Sequence, residues 1–216
     1  MPVHNLALIN SVFSTFIAEL RDVHIQKDPL RFRRNMERIG EVLAYEVSKT
    51  LHFEPREVET PLGTANCHLI AQQPVLATIL RAGLPLHIGM LNYFDRAENA
   101  FISAYRQHHN DDTFDIHLEY LASPSLEGKD LILCDPMLAT GRSMVAAYKS
   151  MLKNGTPRHV HVVSVIGSAE GVAYVKKNMP HNTTIWIGAI DEELTAQAYI
   201  VPGLGDAGDL AFGVKL

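Results

Sequence analysis

The sequence predicts an α/β fold in which helices flank a mainly parallel central sheet. Short apolar runs of strand length recur from residue 75 onward, and segments with the apolar spacing of helices lie between several of them. Runs that stay apolar throughout are typical of strands covered on both faces. The chain has 216 residues, 47% of them hydrophobic, which is enough for one sizeable core. We therefore expect one domain that spans residues 1–216.

Two amphipathic helices and a hairpin are predicted before the first buried strand. Apolar residues recur every three or four positions over 5–25 and again over 31–51. The second helix begins with four arginines that are typical of a solvated or interface face: Arg31, Arg33, Arg34 and Arg38. The polar segment 58–68 is broken by Pro61-Leu62-Gly63, which indicates a hairpin turn.

The rest of the chain alternates between predicted strands and helices. The apolar runs predict strands at 75–80, 100–105, 131–134, 160–166 and 184–189. Helical patterns lie at 85–97, 141–154 and 169–178. Because ligands of open parallel sheets bind beyond the carboxyl ends of the strands, we expect the chemistry in the turns that follow these strands.

Composition and charge narrow the classes of function. With 19 basic and 24 acidic side chains, the net charge of −5 differs from the basic field of a general nucleic-acid binder, so an anionic ligand would need a local site. Two distant cysteines, Cys67 and Cys134, argue against a disulfide framework or a zinc site and favour a reducing compartment. No apolar run approaches the roughly 20 residues of a membrane span. The first residues lack the basic start of a secretory signal, so we expect a cytoplasmic protein.

The strongest chemical signal is the turn that follows the predicted strand 131–134. Asp135 places a carboxylate where it can accept hydrogen bonds from sugar hydroxyls. Thr140 and Ser143 add hydroxyls, and Gly141 lets the backbone approach closely, so the amides at the helix start can cradle a phosphate. An ordinary connection with Thr140 as a helix N-cap fits the same residues. The Gly-Lys-Ser/Thr ending of nucleoside-triphosphate loops is absent from this turn.

Two further turns carry charge. After 75–80, Gly83 frees backbone amides for an anion and Arg81 adds a planar cation suited to phosphate oxygens, although a plain turn with a surface arginine fits equally well. After 100–105, the polar segment 106–112 is typical of a mobile excursion. Its histidines and aspartates suggest a metal site, but solvated loop residues of this kind are seldom ligands.

The tail 197–209 is too rich in glycine for a helix or a long strand. Its small residues let the backbone curve tightly and present its own amides and carbonyls. A flexible terminus is the alternative interpretation. The apolar flank 210–214 favours a tail that packs down on the protein.

Two of these motifs resemble one family. Residues 135–143 resemble the phosphoribosyl-pyrophosphate signature of type I phosphoribosyltransferases, in the Asp-Pro-Met-Leu-Ala-Thr-Gly form typical of uracil phosphoribosyltransferases. Residues 197–209 resemble the uracil-binding signature of the same family. The chain differs from the family pattern at Arg142, where a second glycine is usual, at 107–109, where asparagine and acidic residues are usual, and at Leu210-Ala211, where Arg-Leu is usual.

The resemblance implies the type I phosphoribosyltransferase fold, with a β-hairpin lid and a C-terminal base-binding segment. It implies that uracil reacts with phosphoribosyl pyrophosphate to give uridine monophosphate and pyrophosphate. Magnesium would be the cofactor, bound through the substrate and not by direct protein ligation. The resemblance also implies a homodimer or a larger assembly, and we expect neither a nucleic acid nor a membrane as partner.

The site residues follow from the same resemblance. The implied catalytic residues are Asp206 and Arg106. The implied contacts of phosphoribosyl pyrophosphate are Arg81, Arg106, Asp135, Pro136, Met137, Leu138, Ala139, Thr140, Gly141, Arg142, Ser143 and Asp206. The implied uracil contacts are Tyr199, Ile200, Gly205, Asp206 and Ala207.

Two other functions fit the same motifs. One is a phosphoribosyltransferase that acts on another base. The other is a regulator of the same fold that binds uridine monophosphate or RNA without turnover, although the acidic charge balance disfavours RNA binding.

Overall fold

The computed structural model describes residues 1–108 and 114–215 of the chain. Its strands, in chain order, are β1 (Val3–Asn5), β2 (Phe53–Thr60), β3 (Gly63–Ile70), β4 (Val75–Leu80), β5 (Glu98–His108), β6 (Phe114–Ala122), β7 (Asp130–Cys134), β8 (Met137–Leu138), β9 (His159–Ser168), β10 (Thr183–Asp191), β11 (Glu193–Leu194) and β12 (Ile200–Val201). Its α-helices are α1 (Val12–Arg21), α2 (Pro29–Ser48), α3 (Leu84–Tyr93), α4 (Arg142–Met151), α5 (Ala169–Asn178) and α6 (Ala207–Phe212). Short 3₁₀ helices lie at Leu6–Leu8 and Leu152–Asn154.

The centre of the fold is an eight-stranded sheet in the described part of the chain. Its order is β1-β10-β9-β7-β4-β5-β6, and β8 pairs with β9 beside that path. The pairs are parallel except for β5 with β6. The predicted α/β class with a mainly parallel sheet is therefore confirmed, and each predicted buried strand is present.

Alternate residues of the central strands face two separate hydrophobic cores. On β7, Ile132 and Cys134 join the core that α1, α2 and α3 cover. Leu131 and Leu133 join the core beneath α4 and α5. Because successive side chains of a strand point to opposite faces, burial on both faces requires an apolar run without alternation, as the sequence has here.

The first helix begins later than its apolar pattern predicted. A single helix over 5–25 is wrong at both ends, because Val3–Asn5 forms β1 and pairs in parallel with β10, Leu6–Leu8 is a separate 3₁₀ helix, and α1 ends at Arg21. The side chain of Ser11 accepts a hydrogen bond from the Phe13 amide and caps α1, which fixes its start at Val12. The second helix agrees well with its prediction, since the Asp28 side chain caps it and Pro29 opens its first turn.

The tail contains a helix that its glycine content argued against. The prediction of no helix over 197–209 is wrong, because α6 begins at Ala207 with the Asp206 side chain as its cap. Gly208 and Ala211 are buried small residues, and α6 packs against α2. The apolar flank packs down in part, since Ala211 is buried whereas Val214 is exposed.

The hairpin β2-β3 confirms the predicted turn at residues 61 and 62. It forms its own two-stranded sheet, outside the central one, and both strands are largely exposed. Within the described residues, no helix is long and apolar enough to cross a membrane.

The two cysteines give a chemical test of this arrangement. Cys134 is fully buried in β7, and burial, together with the neighbouring Asp135 charge, raises the pKa of its thiol far above its usual value. Cys67 on β3 is partly accessible. We expect a reagent that labels thiols by disulfide exchange to react with Cys67 in the native protein and with Cys134 only after unfolding. A Cys67→Ser variant that still reacted rapidly when native would contradict the burial of β7.

Candidate active site

The loop after β7 is bonded to the neighbouring strand β9. The Asp135 amide donates to the Val163 carbonyl at 3.1 Å. The Pro136 carbonyl accepts from the amides of Val165 and Ile166 at 3.1 and 3.0 Å. These bonds hold the half-buried Asp135 just beyond the carboxyl end of β7.

The start of α5 supports the same loop from behind. The Ser168 hydroxyl donates to the Ala139 carbonyl at 2.6 Å and accepts from the Gly171 amide at 2.8 Å. A Cβ at position 171 would lie 2.3 Å from the Ala139 carbonyl oxygen, so glycine is required for this close approach. Sequence reasoning missed Ser168 and Gly171, because a serine and a glycine at the start of a helix are common features of an ordinary cap.

The loop ends in a left-handed residue that begins α4. Gly141 has a φ of 72° and occupies the N-cap position without a side-chain acceptor. Thr140 is therefore not the N-cap, although its hydroxyl accepts from the Arg142 amide at 3.4 Å. The loop residues line a small pocket together with Ser143. Amides at such a helix start are the donors that phosphate groups bind, and the Arg142 side chain is exposed beside them.

The loop after β4 leaves the sheet at the same edge, because β4 and β7 are parallel neighbours. Gly83 packs against the strand ends, where a Cβ would lie 2.2 Å from the Thr78 hydroxyl oxygen. Arg81 extends from this loop to the tail of the chain. Its guanidinium forms an ion pair with Asp209 at 3.0 Å and donates to the Gly213 carbonyl at 3.3 Å.

The tail curves over this edge before it enters α6. The antiparallel pair β11-β12 is followed by two left-handed glycines, Gly203 and Gly205, with φ of 59° and 93°. Asp206 then caps α6, and its second carboxylate oxygen lies 3.5 Å from the Lys215 ammonium nitrogen. Of the other implied uracil contacts, Ile200 and Ala207 are buried and Tyr199 is exposed.

An arginine on α2 fixes the far end of the tail helix. Arg33 donates to the Ala211 carbonyl at 2.7 Å. The arginine cluster was predicted as a solvated or interface face, and the structure shows that its members also bond within the molecule. Arg31 pairs with Glu19 at 3.3 Å, and Arg34 pairs with Glu37 on its own helix. No local signal could have identified Ala211 as the partner of Arg33, since 178 positions separate them.

The predicted mobile excursion is wrong for residues 106–108, because they continue strand β5. Within this part of the strand, the backbone of Arg106 pairs with Ile116 of β6. The Arg106 side chain and residues 109–113 lie outside the described part of the structure.

The site therefore unites three of the sequence motifs at one edge of the sheet. Comparison with known proteins identifies their family. A sequence model of uracil phosphoribosyltransferases matches residues 9–214. The chain belongs to this family. A uracil phosphoribosyltransferase from Porphyromonas gingivalis is 57% identical over 216 residues, which is 100% of both chains. Another from Methanothermobacter thermautotrophicus is 40% identical over 188 residues, covering 86% of this chain and 85% of its own.

Solved structures agree with this assignment at the level of the fold. The AQ2163 protein from Aquifex aeolicus is 29% identical and superposes with a TM-score of 0.88 over 99% of both chains. A hypoxanthine phosphoribosyltransferase from Staphylococcus aureus is 13% identical, with a TM-score of 0.51 over 86% of this chain and 84% of its own. The type I phosphoribosyltransferase fold that the motifs implied is confirmed.

Two glycines with the same backbone conformation test the packing of the loop after β7. Gly141 and Gly128 have φ of 72° and 69°, but a Cβ at 141 would lie 2.8 Å from the Gly171 carbonyl oxygen, whereas nothing lies within 4 Å of one at 128. We expect Gly128→Ala to lower the free energy of unfolding by about 1–2 kcal/mol through backbone strain. Gly141→Ala should lower it by a further ~1–3 kcal/mol through overpacking. Equal losses in urea unfolding would contradict the close approach of α5.

Proposed function

We propose that this chain transfers the 5-phosphoribosyl group of phosphoribosyl pyrophosphate to N1 of uracil, giving uridine monophosphate and pyrophosphate. The observation that carries the proposal is the Arg81–Asp209 ion pair, which joins the loop after β4 to the tail of the chain. Through this pair, the motif for the leaving diphosphate and the motif for the base meet at one edge of the sheet. Membership of the uracil phosphoribosyltransferase family supports the same reaction.

The loop of residues 135–143 is the proposed site for the ribose 5-phosphate. The amides at the start of α4 and the hydroxyls of Thr140 and Ser143 would bind the phosphate, and the Asp135 carboxylate would accept hydrogen bonds from the ribose hydroxyls. The support from β9 and α5 keeps this loop in position before the substrate arrives. A preorganised phosphate site lets the binding energy of a remote group orient the reacting carbon.

Arg81 and Arg106 are the proposed partners of the leaving diphosphate. The Arg81 side chain is 43% exposed, and an ion pair this accessible adds little to stability. Arg81 can therefore exchange Asp209 for the more highly charged diphosphate. Displacement at the ribose carbon passes through an oxocarbenium-like state, in which negative charge grows on the leaving group, and guanidinium groups stabilise that charge.

The tail is the proposed uracil site, and its recognition groups belong mainly to the backbone. Uracil presents an acceptor, a donor and an acceptor along one edge, whereas cytosine presents a different pattern that would leave buried polar groups unpaired. The Ile200 and Gly205–Ala207 backbone would supply the complementary groups. Asp206, held by its bond to the Asp209 amide, is the proposed acceptor of the N1 proton.

Magnesium is the proposed cofactor. Among the described residues no group of three His, Cys, Asp or Glu side chains could hold a metal ion, and the half-buried Asp135 carboxylate lies at the proposed ribose site. Mg²⁺ keeps several waters and binds through few carboxylates together with substrate phosphates, so these donors fit an ion held mainly by the diphosphate. When bound, the ion neutralises charge on the diphosphate oxygens.

The oligomeric state of the protein and its cellular compartment stay predictions. The exposed hairpin β2-β3 supports a homodimer or a larger assembly, because an isolated two-stranded hairpin is marginally stable in water and a second copy could cover it. Cys67 and Cys134 are both free, which is compatible with the reducing cytoplasm.

An assay over several bases tests the reaction. With phosphoribosyl pyrophosphate and magnesium, we expect the protein to form uridine monophosphate from uracil, and to give little product with cytosine, because its hydrogen-bonding edge differs, or with the purines hypoxanthine and xanthine, because they carry a second ring. Chromatography of the nucleotides measures the product. A product from another base in place of uridine monophosphate would overturn the proposed substrate. RNA binding at physiological salt without any nucleotide formation would favour the alternative function, a regulator of the same fold that binds RNA without turnover.

Two aspartates at opposite ends of β7 test the sugar site. Asp135→Asn should raise KM for phosphoribosyl pyrophosphate by about 10-fold or more through loss of charge-assisted hydrogen bonds, and leave KM for uracil nearly unchanged. Asp130→Asn is the control. Asp130 begins the same strand and pairs with Arg158, so it lies at the amino end of β7, opposite to the proposed site. Unaltered saturation by phosphoribosyl pyrophosphate in Asp135→Asn would exclude the assigned role.

A further inference from the structure

We infer that Arg21 and Asp191 form a clamp that fixes the turn at Gly203 and thereby positions the backbone groups that recognise uracil. The inference rests on the proposed function, since it assigns positioning residues to the same base site. Neither side chain belongs to the sequence motifs of the site. Arg21 lies in the last turn of α1, and Asp191 is the last residue of β10.

The clamp consists of one ion pair that bonds to both backbone polar groups of one glycine. The Arg21 guanidinium donates to the two carboxylate oxygens of Asp191 at 2.7 and 2.8 Å. It also donates to the Gly203 carbonyl at 3.0 Å, and the Gly203 amide donates back to Asp191 at 3.0 Å. The four bonds leave the peptide groups on either side of the Gly203 Cα little freedom to rotate.

The surroundings make these bonds strong. The Asp191 side chain is 8% exposed and the Arg21 side chain 23% exposed, so water competes weakly for either group. Burial opposes the ionisation of Asp191, but the hydrogen bonds from Arg21 and the Gly203 amide, together with the Arg21 charge, hold its pKa below the usual value. The carboxylate therefore stays charged at neutral pH, and the bidentate geometry is the most specific that arginine forms.

The clamped glycine lies between the two parts of the proposed uracil site. Ile200 precedes it, and Gly205, Asp206 and Ala207 follow it. The turn is tight, because a Cβ at position 203 would lie 2.0 Å from the Ile200 carbonyl oxygen. Any rotation at Gly203 would move the groups after the turn relative to those before it. A displacement near 1 Å is enough to cost a site about 100-fold in efficiency, and here it would affect several base contacts together.

The phosphate half of the site does not use the clamp. Its loop is held by the Pro136 carbonyl bonds to β9 and by the Ser168 hydroxyl bond to Ala139. Among the described residues, the hydrogen bonds of the Arg21 and Asp191 side chains go to each other and to Gly203. Loss of the clamp should therefore affect the two substrates unequally.

The test uses two conservative variants and a matched control. Arg21→Lys keeps the charge but loses the planar fork, and Asp191→Asn keeps the shape but loses the charge. The control is Arg158→Lys, because Arg158 makes an equivalent two-bond pair, at 3.1 and 2.7 Å, with Asp130 at the opposite edge of the sheet. The Asp130 side chain is 7% exposed, similar to Asp191.

We expect both clamp variants to raise KM for uracil by about 10- to 100-fold, the range for lost charge-assisted hydrogen bonds, while KM for phosphoribosyl pyrophosphate stays within the experimental error. The control variant should change neither constant. KM does not depend on how many molecules are folded, so reduced stability does not imitate this result. An unchanged KM for uracil, or an equal rise for both substrates, overturns the clamp.

Hydrogen exchange of the Gly203 amide tests the clamp without any catalysis. Arg21→Lys and Asp191→Asn should accelerate its exchange, whereas Arg158→Lys should not. Unchanged protection in the clamp variants overturns the inference. If the unmodified protein forms no uridine monophosphate, the proposed function fails, and faster exchange in the clamp variants then still supports the positioning of this turn.

Discussion

The parallel register of β7 between β4 and β9 is the constraint on which the rest of the site depends. Thr78 of β4 and Val163 of β9 both pair with Cys134, the last residue of β7, and β4 runs two residues further, to Leu80, before its own loop begins. Strand β9 continues beyond the end of β7, and two of its amides donate hydrogen bonds to the Pro136 carbonyl. The loop after β7, our proposed phosphate site, thus continues the backbone pairing of the sheet, and its geometry follows from strand pairing in the middle of the core.

Local sequence patterns predicted those elements whose burial leaves a signal within a few consecutive residues. Apolar runs such as 131–134 predicted buried strands, since burial on both faces leaves a strong signal in composition. The three-residue strand β1 could not be predicted, because its conformation comes from pairing with β10 near the other end of the chain. The helix α6 was missed for a related reason: the glycines before it and Gly208 within it lower helix propensity, but the small residues of α6 allow close packing on α2.

The motifs point to the loops to which we assign the chemistry, but they do not show what holds those loops in place. Ser168 bonds to a backbone carbonyl of the loop after β7, and Arg33 bonds to one of the tail helix. Arg21 and Asp191 are separated by 170 positions. Bonds between such distant residues leave no periodicity or spacing in the sequence, so supporting residues become visible only in the folded chain. The acidic net charge likewise conceals the local site, where Arg81 meets a carboxylate of the protein's own tail.

The short helix α6 gives the site an order of assembly during synthesis. With six residues, α6 is too short to persist alone, and it depends for its position on packing against α2 and on the Arg33 hydrogen bond to the Ala211 carbonyl. Both α2 and Arg33 are translated before α6, and Arg33 precedes Ala211 by 178 positions. The loop after β7 therefore leaves the ribosome before the tail, and docking of the tail completes the proposed base site. A nascent chain paused before residue 197 would contain the residues of the proposed phosphate site without those proposed to select the nucleobase.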